Sequence, residues 1–192
     1  MRPSLATERQ AEMLEALAEC VAEVGIERLT VQAVADRSGW SRGHVRHYLG
    51  NKADQLNALV DLYAERYAST LERIVDEAPV GARRQAVHDE LFGEAWQDAH
   101  PQDDVVLDAL TAYAAANPDS GISLTPMYRR IVVAIGIALT ERFDEDESTA
   151  RAEVTLALAY GLSSMIRLGA FGRTAAAKHA ADVLGLGDAP HG

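Results

Sequence analysis

The sequence is short of the features that mark secreted and membrane proteins. It has a single cysteine, Cys20, among 192 residues, so no disulfide can form within the chain. No apolar run approaches the roughly 18 residues needed to cross a bilayer, and no charged-then-apolar leader opens the chain. We therefore expect a cytoplasmic protein without a membrane segment, in which Cys20 is a buried thiol rather than a redox switch.

The signatures of an enzyme are also missing. The sequence has no paired nucleophile and base, no glycine loop of the Gly-x-x-x-x-Gly-Lys-Ser/Thr type, and no cluster of metal ligands with a recognisable spacing. His44 and His47 lie three residues apart and are alternative candidates for metal ligands, but no Cys, Asp or Glu lies nearby to complete a site. The sequence thus predicts no catalytic residue, no metal and no cofactor.

Apolar residues recur at helical spacing almost throughout, whereas the alternation typical of strands is absent. This pattern predicts an all-α fold of about nine helices. The predicted helices cover 7–24, two short segments on either side of Gly39, 52–77, 81–98, 103–116, 126–143, 147–171 and 174–185. Segments such as His100-Pro101 and Phe171-Gly172 separate them, because proline and glycine interrupt helices.

The most informative stretch lies between Thr30 and Lys52, where a short helix, a glycine turn and a cationic helix follow one another. Thr30 and Ser41 are each placed to cap the helix that follows, and Gly39 suits a left-handed turn between the two helices. Three small apolar residues are expected to fill the core between them: Val34, Ala35 and Val45. This order is that of a helix-turn-helix, in which the first turn of the second helix meets base edges.

Charge is distributed unevenly along the chain. Residues 37–52 hold four cations and no acid, whereas the whole chain has 18 Lys and Arg against 29 Asp and Glu and a net charge of −11. A small cationic face on an acidic protein suits binding to one DNA segment in one orientation, and it disfavours general polyanion binding. Arg37, at the edge of this window, is alternatively only a solvated charge at a helix end.

Three groups of residues carry a resemblance to a known family: Gly25-Ile-Glu-Arg-Leu-Thr-Val31, then Val34-Ala35 with Gly39, and the run Ser41-Arg-Gly-His-Val-Arg-His-Tyr-Leu-Gly-Asn-Lys52. On these motifs, residues from about 7 to 60 resemble the DNA-binding domain of the TetR (tetracycline-repressor-like) family of bacterial transcriptional regulators. Gly43 with His47-Tyr48 is similar to the branch that includes the choline and betaine regulator. Arg46 stands where Tyr is usual and Leu49 where Phe is usual, so the operator sequence is not transferable.

The resemblance implies a role for each position of the cationic helix. Base edges would be contacted by Arg42, Gly43, His44 and Arg46, with Gln32 joining from the preceding helix. Phosphates would be held by Thr30, His47, Tyr48 and Lys52, and Ser41 completes the DNA-binding set as the helix cap. Phosphate contacts set the register, whereas base contacts set the sequence. Trp40 is expected to anchor the turn, the alternative being base stacking.

The predicted helix over 147–171 bears on assembly. Apolar and small residues recur on it at coiled-coil spacing and are expected to form the interface of a homodimer: Val154, Ala157, Leu158, Gly161, Met165 and Leu168. With the helix over 174–185, it would give two helices of a four-helix bundle built by two chains. The alternative is a core helix within one chain.

The middle helices hold a set of large side chains that would line an inducer pocket in the family: Tyr63, Tyr67, Phe92, Trp96, Tyr113, Met127 and Tyr128. The alternative is that these residues only fill a core.

The resemblance implies a DNA-binding domain over 1–51, a ligand-binding and dimerisation domain over 52–187 and a loose tail over 188–192. The implied function is a homodimeric repressor that binds a palindromic operator and is released by an unknown small molecule; the alternative is a helical protein-interaction module without specific DNA binding.

Overall fold

The computed structural model describes residues 5–93 and 102–186, and every regular element within these ranges is helical. The α-helices are α1 Leu5–Arg28, α2 Val31–Ser38, α3 Arg42–Leu49, α4 Lys52–Tyr63, α5 Thr70–Glu77, α6 Arg83–Phe92, α7 Asp103–Ala116, α8 Thr125–Leu139, α9 Glu145–Arg167 and α10 Arg173–Val183. A π-helical segment, Ala64–Ser69, joins α4 to α5, and a 3-10 turn, Pro118–Ser120, follows α7. The all-α prediction is confirmed. None of the described helices is long and apolar enough to span a bilayer.

The chain forms two compact units. Unit 1 contains the described residues up to Ala64 together with Gln102–Leu124, and unit 2 contains those from Glu65 to Gly93 and from Thr125 to Leu186. Helices α4 and α7 therefore belong to the same compact unit as α1, α2 and α3. The domain boundary that the sequence predicts after residue 51 separates two functions and not two compact units, and it stays a prediction.

In unit 1, α1 is the central helix and packs against α2, α3, α4 and α7. The core is built from fully buried apolar side chains on these helices: Met13, Leu17, Val34, Val45, Leu56 and Leu110. Cys20 is buried on the same side of α1, as the sequence indicates, and this burial raises the pKa of its thiol. Helix α1 is interrupted at Gly25, whose φ of 76° and ψ of 166° lie outside the helical region.

Local hydrogen bonds explain why the helix-turn-helix forms where it does. The Thr30 hydroxyl accepts the backbone N–H of Ala33 at 3.1 Å, and the Ser41 hydroxyl accepts that of His44 at 3.3 Å. Gly39 between the two helices has a φ of 73°, in the left-handed region. Both predicted caps and the glycine turn are therefore confirmed, and together they fix where α3 begins.

The connection from α3 to α4 depends on Gly50. Its φ of 70° and ψ of −147° fall in a region that is open almost only to glycine. The next residue, Asn51, caps α4 by accepting from Ala53 N and Asp54 N, and Asp54 accepts the Asn51 N–H in return at 2.9 Å. A Cβ at position 50 would collide with the Asp54 side chain. Gly50 is therefore required both for the backbone angle and for the capping box.

Replacing Gly50 by alanine is expected to lower the free energy of unfolding by about 2–4 kcal/mol, since it adds backbone strain and displaces the Asp54 cap. Chemical denaturation followed by circular dichroism measures this loss. Asp54→Ala is the matched comparison, because it removes only the cap and should cost about 1 kcal/mol. Equal losses in the two variants would contradict the backbone contribution.

In unit 2, α8 packs against α5, α6 and α9, and α10 packs against α6 and α9. Polar contacts tie the ends of these helices together. The Arg84 Nη1 donates to the carbonyls of Leu184 and Gly185 at 3.2 and 2.6 Å, which satisfies the end of α10. Glu141, which lies 4.0 Å from Arg84 Nε, accepts the Gly81 N–H at 2.7 Å. These contacts fix the edge of unit 2 on which α6 begins and α10 ends.

The helix predicted over 52–77 has the expected extent, but its middle is π-helical, a feature that apolar spacing does not reveal. Arg130 of α8 holds the C-terminal end of this segment, donating to Ser69 Oγ at 2.8 Å and to both carboxylate oxygens of Glu72 at 2.8 and 2.6 Å. This bidentate pair raises the pKa of Arg130 and lowers that of Glu72. The π-helical turn is therefore held by side chains of unit 2.

Two predicted helix ends are wrong. The helix expected to reach residue 143 ends at Leu139, and Thr140 donates its hydroxyl to the Ile137 carbonyl just beyond. The helix expected to reach 171 ends at Arg167, because Gly169 takes a φ of 72° and Ala170 N donates to Met165 O in a left-handed C-cap. That helix also begins at Glu145 rather than 147, since Asp144 accepts the Glu147 N–H. Residues 94–98 of the predicted 81–98 helix lie outside the described residues.

Candidate nucleic-acid interface

Helix α3 has one buried face and one exposed face. Val45 and Leu49 are buried and anchor it against α1 and α2. The side exposed to solvent carries five of the ten residues predicted to contact DNA: Arg42, Gly43, His44, Arg46 and His47. These residues lie in the first two turns of α3, immediately after the Ser41 cap, and are therefore presented together on one surface.

The cations of the 37–52 window have different partners. Arg37 forms ion pairs with Glu19 and Glu23 of α1, which raise the pKa of its guanidinium. Arg42 and Arg46 are exposed, and their side chains have no hydrogen-bond or ion-pair partner within residues 5–93 and 102–186. The cationic field of α3 therefore comes from these two arginines, and Arg37 serves to join α2 to α1.

The other residues predicted to contact DNA have the following contacts of their own. Gln32 donates its amide to Asp36 at 2.6 Å, which leaves its carbonyl oxygen available as an acceptor. Lys52 lies 5.9 Å above the ring of Tyr113, and the rings of His47 and Tyr48 meet edge to face at 5.2 Å. Thr30 lies exposed at the start of α2.

Two residues outside the predicted DNA-binding set, Trp40 and Arg9, form a series of contacts that leads to His44. Trp40 contacts the His44 ring at a centroid distance of 5.6 Å, and the Arg9 guanidinium lies 5.2 Å above the Trp40 ring. The four-residue separation of Trp40 and His44 is a sequence signal for this pair, although Trp40 precedes the helix. Arg9 has no such sequence signal, because its contact with Trp40 depends on how α1 packs.

The residues predicted to line a ligand pocket are divided between the two units. Tyr63 and Tyr113 belong to unit 1, whereas Tyr67, Phe92, Met127 and Tyr128 belong to unit 2. Tyr63 and Met127 are buried, and the others are partly exposed. Trp96 lies outside the described residues. A surface cavity of about 440 Å³ lies elsewhere, between α1 and α2, and is lined in part by Cys20, Val24 and Arg37.

The residues predicted to form a dimer interface share one face of α9 and the turn after it. Val154, Ala157, Met165 and Leu168 are exposed, with Val154 at 50% and Leu168 at 76%. Leu158 and Gly161 between them are partly exposed. Five further large apolar side chains of unit 2 are exposed and lie outside the predicted interface: Val80, Val133, Ile137, Tyr160 and Phe171. So much apolar surface on one unit is typical of an interaction surface.

Comparison with known proteins agrees with this geometry. Residues 13–59, which include all of α2 and α3, match the family model described as "Bacterial regulatory proteins, tetR family". This part of the chain is therefore similar to the TetR family. No curated protein matches the chain.

Solved structures extend the TetR-like similarity to the rest of the fold. A TetR transcription regulator from Haloarcula marismortui shares 20% identity at a TM-score of 0.77, covering 93% of this chain and 97% of that one. Salmonella enterica GusR shares 19% identity at a TM-score of 0.76, covering 95% and 98%. A TetR-like transcriptional regulator from Rhodococcus sp. RHA1 shares 17% at 0.70, covering 97% and 98%. At these identities the likeness concerns the TetR-like fold.

Proposed function

We propose that this chain is a transcriptional regulator of the TetR type, most simply a repressor, which binds a palindromic operator as a homodimer and is released by a small molecule. The observation that carries the proposal is the exposed face of α3, on which Arg42, His44 and Arg46 project from a capped and firmly anchored helix. An arginine without a protein partner is suited to bidentate contact with guanine O6 and N7 in the major groove.

The acidic remainder of the chain supports the same function. With a net charge of −11, the protein is repelled by DNA except where α3 faces it, which favours one binding orientation. The ion pairs with Glu19 and Glu23 neutralise Arg37, so the positive charge that is left in the 37–52 window lies on α3 and at Lys52. Phosphate contacts would then come from Thr30, His47, Tyr48 and Lys52, around the two free arginines.

The exposed apolar face of α9 supports a homodimer. Two copies of α3 related by a two-fold axis and roughly 34 Å apart would enter successive major grooves of one operator, which is why the operator would be palindromic. Val154 and Leu168 mark the two ends of the proposed contact, and Gly161 near its middle allows close approach of a second helix.

Two observations support release from DNA by a small molecule. One is the family resemblance, and the other is the set of large side chains on the middle helices that would line a ligand pocket. A ligand acts by binding the DNA-incompetent state more tightly, and it shifts the population by no more than that difference in affinity. Membership of the branch that includes the choline and betaine regulator rests on Gly43 with His47-Tyr48, and it is proposed on those residues alone.

Gly43 offers a prediction specific to DNA binding. A Cβ at this position would meet only Ser41 Oγ at 3.8 Å, an ordinary contact, so the free protein has room for alanine. Gly43→Ala is therefore expected to raise the free energy of unfolding by about 0.5–1 kcal/mol, because alanine favours the helix. Because the resemblance implies that Gly43 meets a base edge, the added methyl group is expected to lower operator affinity by about tenfold or more. Thermal unfolding and operator titration measure the two effects; a gain in stability with unchanged affinity would remove Gly43 from the interface.

Binding to sheared genomic DNA of the source organism tests the function as a whole. We expect the purified protein to enrich a small number of promoter fragments, and to reduce transcription from them in vitro. Enrichment with increased transcription would identify an activator instead. Absence of enrichment would favour a helical protein-interaction module.

A further inference from the structure

His44 is held on two sides by neighbours that leave only one of its ring nitrogens available. Its Nδ1 lies 2.9 Å from Ser41 Oγ, and its ring meets that of Trp40 nearly perpendicularly, at an interplanar angle of 74°. His44 itself is exposed to solvent. Among the described residues no partner is recorded for Nε2, which is therefore the atom that an external group can reach.

The bond to Ser41 bears on which ring nitrogen carries the proton. Ser41 Oγ already accepts the backbone N–H of His44 as the helix cap, so its own hydrogen is free to be donated to Nδ1. A neutral imidazole that accepts at Nδ1 carries its proton on Nε2. In the protonated imidazolium, Nε2 is again a donor. Both states give His44 a single outward N–H.

Trp40 is itself fixed from the side of α1. Its indole N–H donates to the Glu12 carboxylate at 3.3 Å, and Arg9 covers its ring at 5.2 Å. Perpendicular aromatic contacts have a defined geometry because of the ring quadrupole, so a fixed indole restricts the rotamers of the His44 ring. These contacts lead from α1 through Trp40 to His44, and they orient the His44 side chain in the first turn of α3.

We propose that Trp40 is a positioning residue for His44, and that His44 donates its Nε2 hydrogen to the N7 atom of a purine in the operator. The inference rests on the proposed DNA-binding function and adds a base preference to it. Guanine and adenine both expose N7 as an acceptor in the major groove, whereas a pyrimidine presents carbon at the equivalent place. A single donor therefore selects purine over pyrimidine without distinguishing the two purines, in contrast to the arginines, which select guanine.

The test compares sequences selected from a random duplex library by the wild type and by His44→Ala, Trp40→Leu and Trp40→Phe. We expect one position in each half-site to accept either purine in the wild type and any base in His44→Ala, with a loss of discrimination of about tenfold. Trp40→Leu should relax the same position to a smaller extent. Trp40→Phe keeps an aromatic ring beside His44 and should restore the purine preference, which a residue needed only for folding would not show.

A second arm examines the acceptor itself. Replacing the purine at that position by its 7-deaza analogue removes N7 alone, and it should reduce wild-type affinity to the level of His44→Ala while leaving that variant unaffected. Val34→Ala is the structural control, because Val34 is fully buried in α2 and its truncation should change stability without changing base preference.

The outcomes separate the two levels of the proposal. A wild type that enriches a palindrome but whose variants keep an unchanged base preference would overturn the roles of His44 and Trp40 alone. A pyrimidine at the position that His44→Ala relaxes, or an equal 7-deaza effect in wild type and variant, would overturn the N7 contact. A wild type that enriches no sequence would overturn the DNA-binding function and this inference with it.

Discussion

Arg46→Ala is expected to cost about 1–3 kcal/mol of operator discrimination in each half-site, a factor of about 5 to 150, and to relax specificity at one base pair. The guanidinium is exposed on α3, and within the described residues it has no partner that it must leave to contact DNA. The position is informative because tyrosine is usual there in the family that this domain resembles. Competition titrations against single-base variants of the operator, at one fixed salt concentration, measure the effect.

Arg37→Ala is the matched control for this experiment. It removes the same side chain from the same cationic window, but Arg37 is engaged by Glu19 and Glu23. We expect it to leave base preference unchanged. If Arg46→Ala instead weakens all sequences equally and flattens the salt dependence, Arg46 contacts phosphate rather than a base.

Val154→Glu is expected to convert the proposed homodimer to a monomer, raising the dimer dissociation constant by more than about 100-fold, or about 3 kcal/mol. Val154 is half-exposed in the single chain, and in the proposed dimer it is covered by the second copy. An unpaired carboxylate buried there in both copies is costly because it loses its hydration. Sedimentation equilibrium measures the association, and operator affinity should fall with it because a monomer contacts only one half-site.

Val80→Glu is the matched control for dimerisation, since Val80 is 83% exposed in unit 2 and lies outside α9. The same change in charge and volume is expected to leave the dimer intact. A Val154→Glu protein that remains fully dimeric and keeps its operator affinity would exclude this face of α9 from the interface. The other exposed apolar residues of unit 2, among them Val133 and Ile137, would then be the next candidates.

The helix-turn-helix could be predicted closely because its determinants are local. Thr30, Ser41 and Asn51 each cap the helix that begins at the next residue, and Gly39 sets the turn, so short-range sequence signals were sufficient. The alternation of buried and exposed positions on α3 follows in the same way from the helical repeat. For this reason the predicted interface residues of α3 lie together on one surface.

Features that depend on packing could not be predicted in this way. The sequence does not predict the end of α9 at Arg167 because an apolar pattern continues past it, although Gly169, two residues further on, is a recognisable stop signal. The π-helical segment leaves no mark in the apolar spacing of 52–77. The contact of Arg9 with Trp40, and the direction in which side chains such as Tyr67 point, depend on how distant segments meet.

Selection of bound sequences from a random duplex library, repeated at several salt concentrations, tests whether α3 recognises a DNA sequence. We expect an enriched palindrome whose two half-sites are centred about one helical turn apart, with binding that persists at moderate salt. An unenriched pool, with weak binding that disappears at moderate salt, would contradict the proposal that α3 recognises a DNA sequence while leaving the TetR-like fold in place.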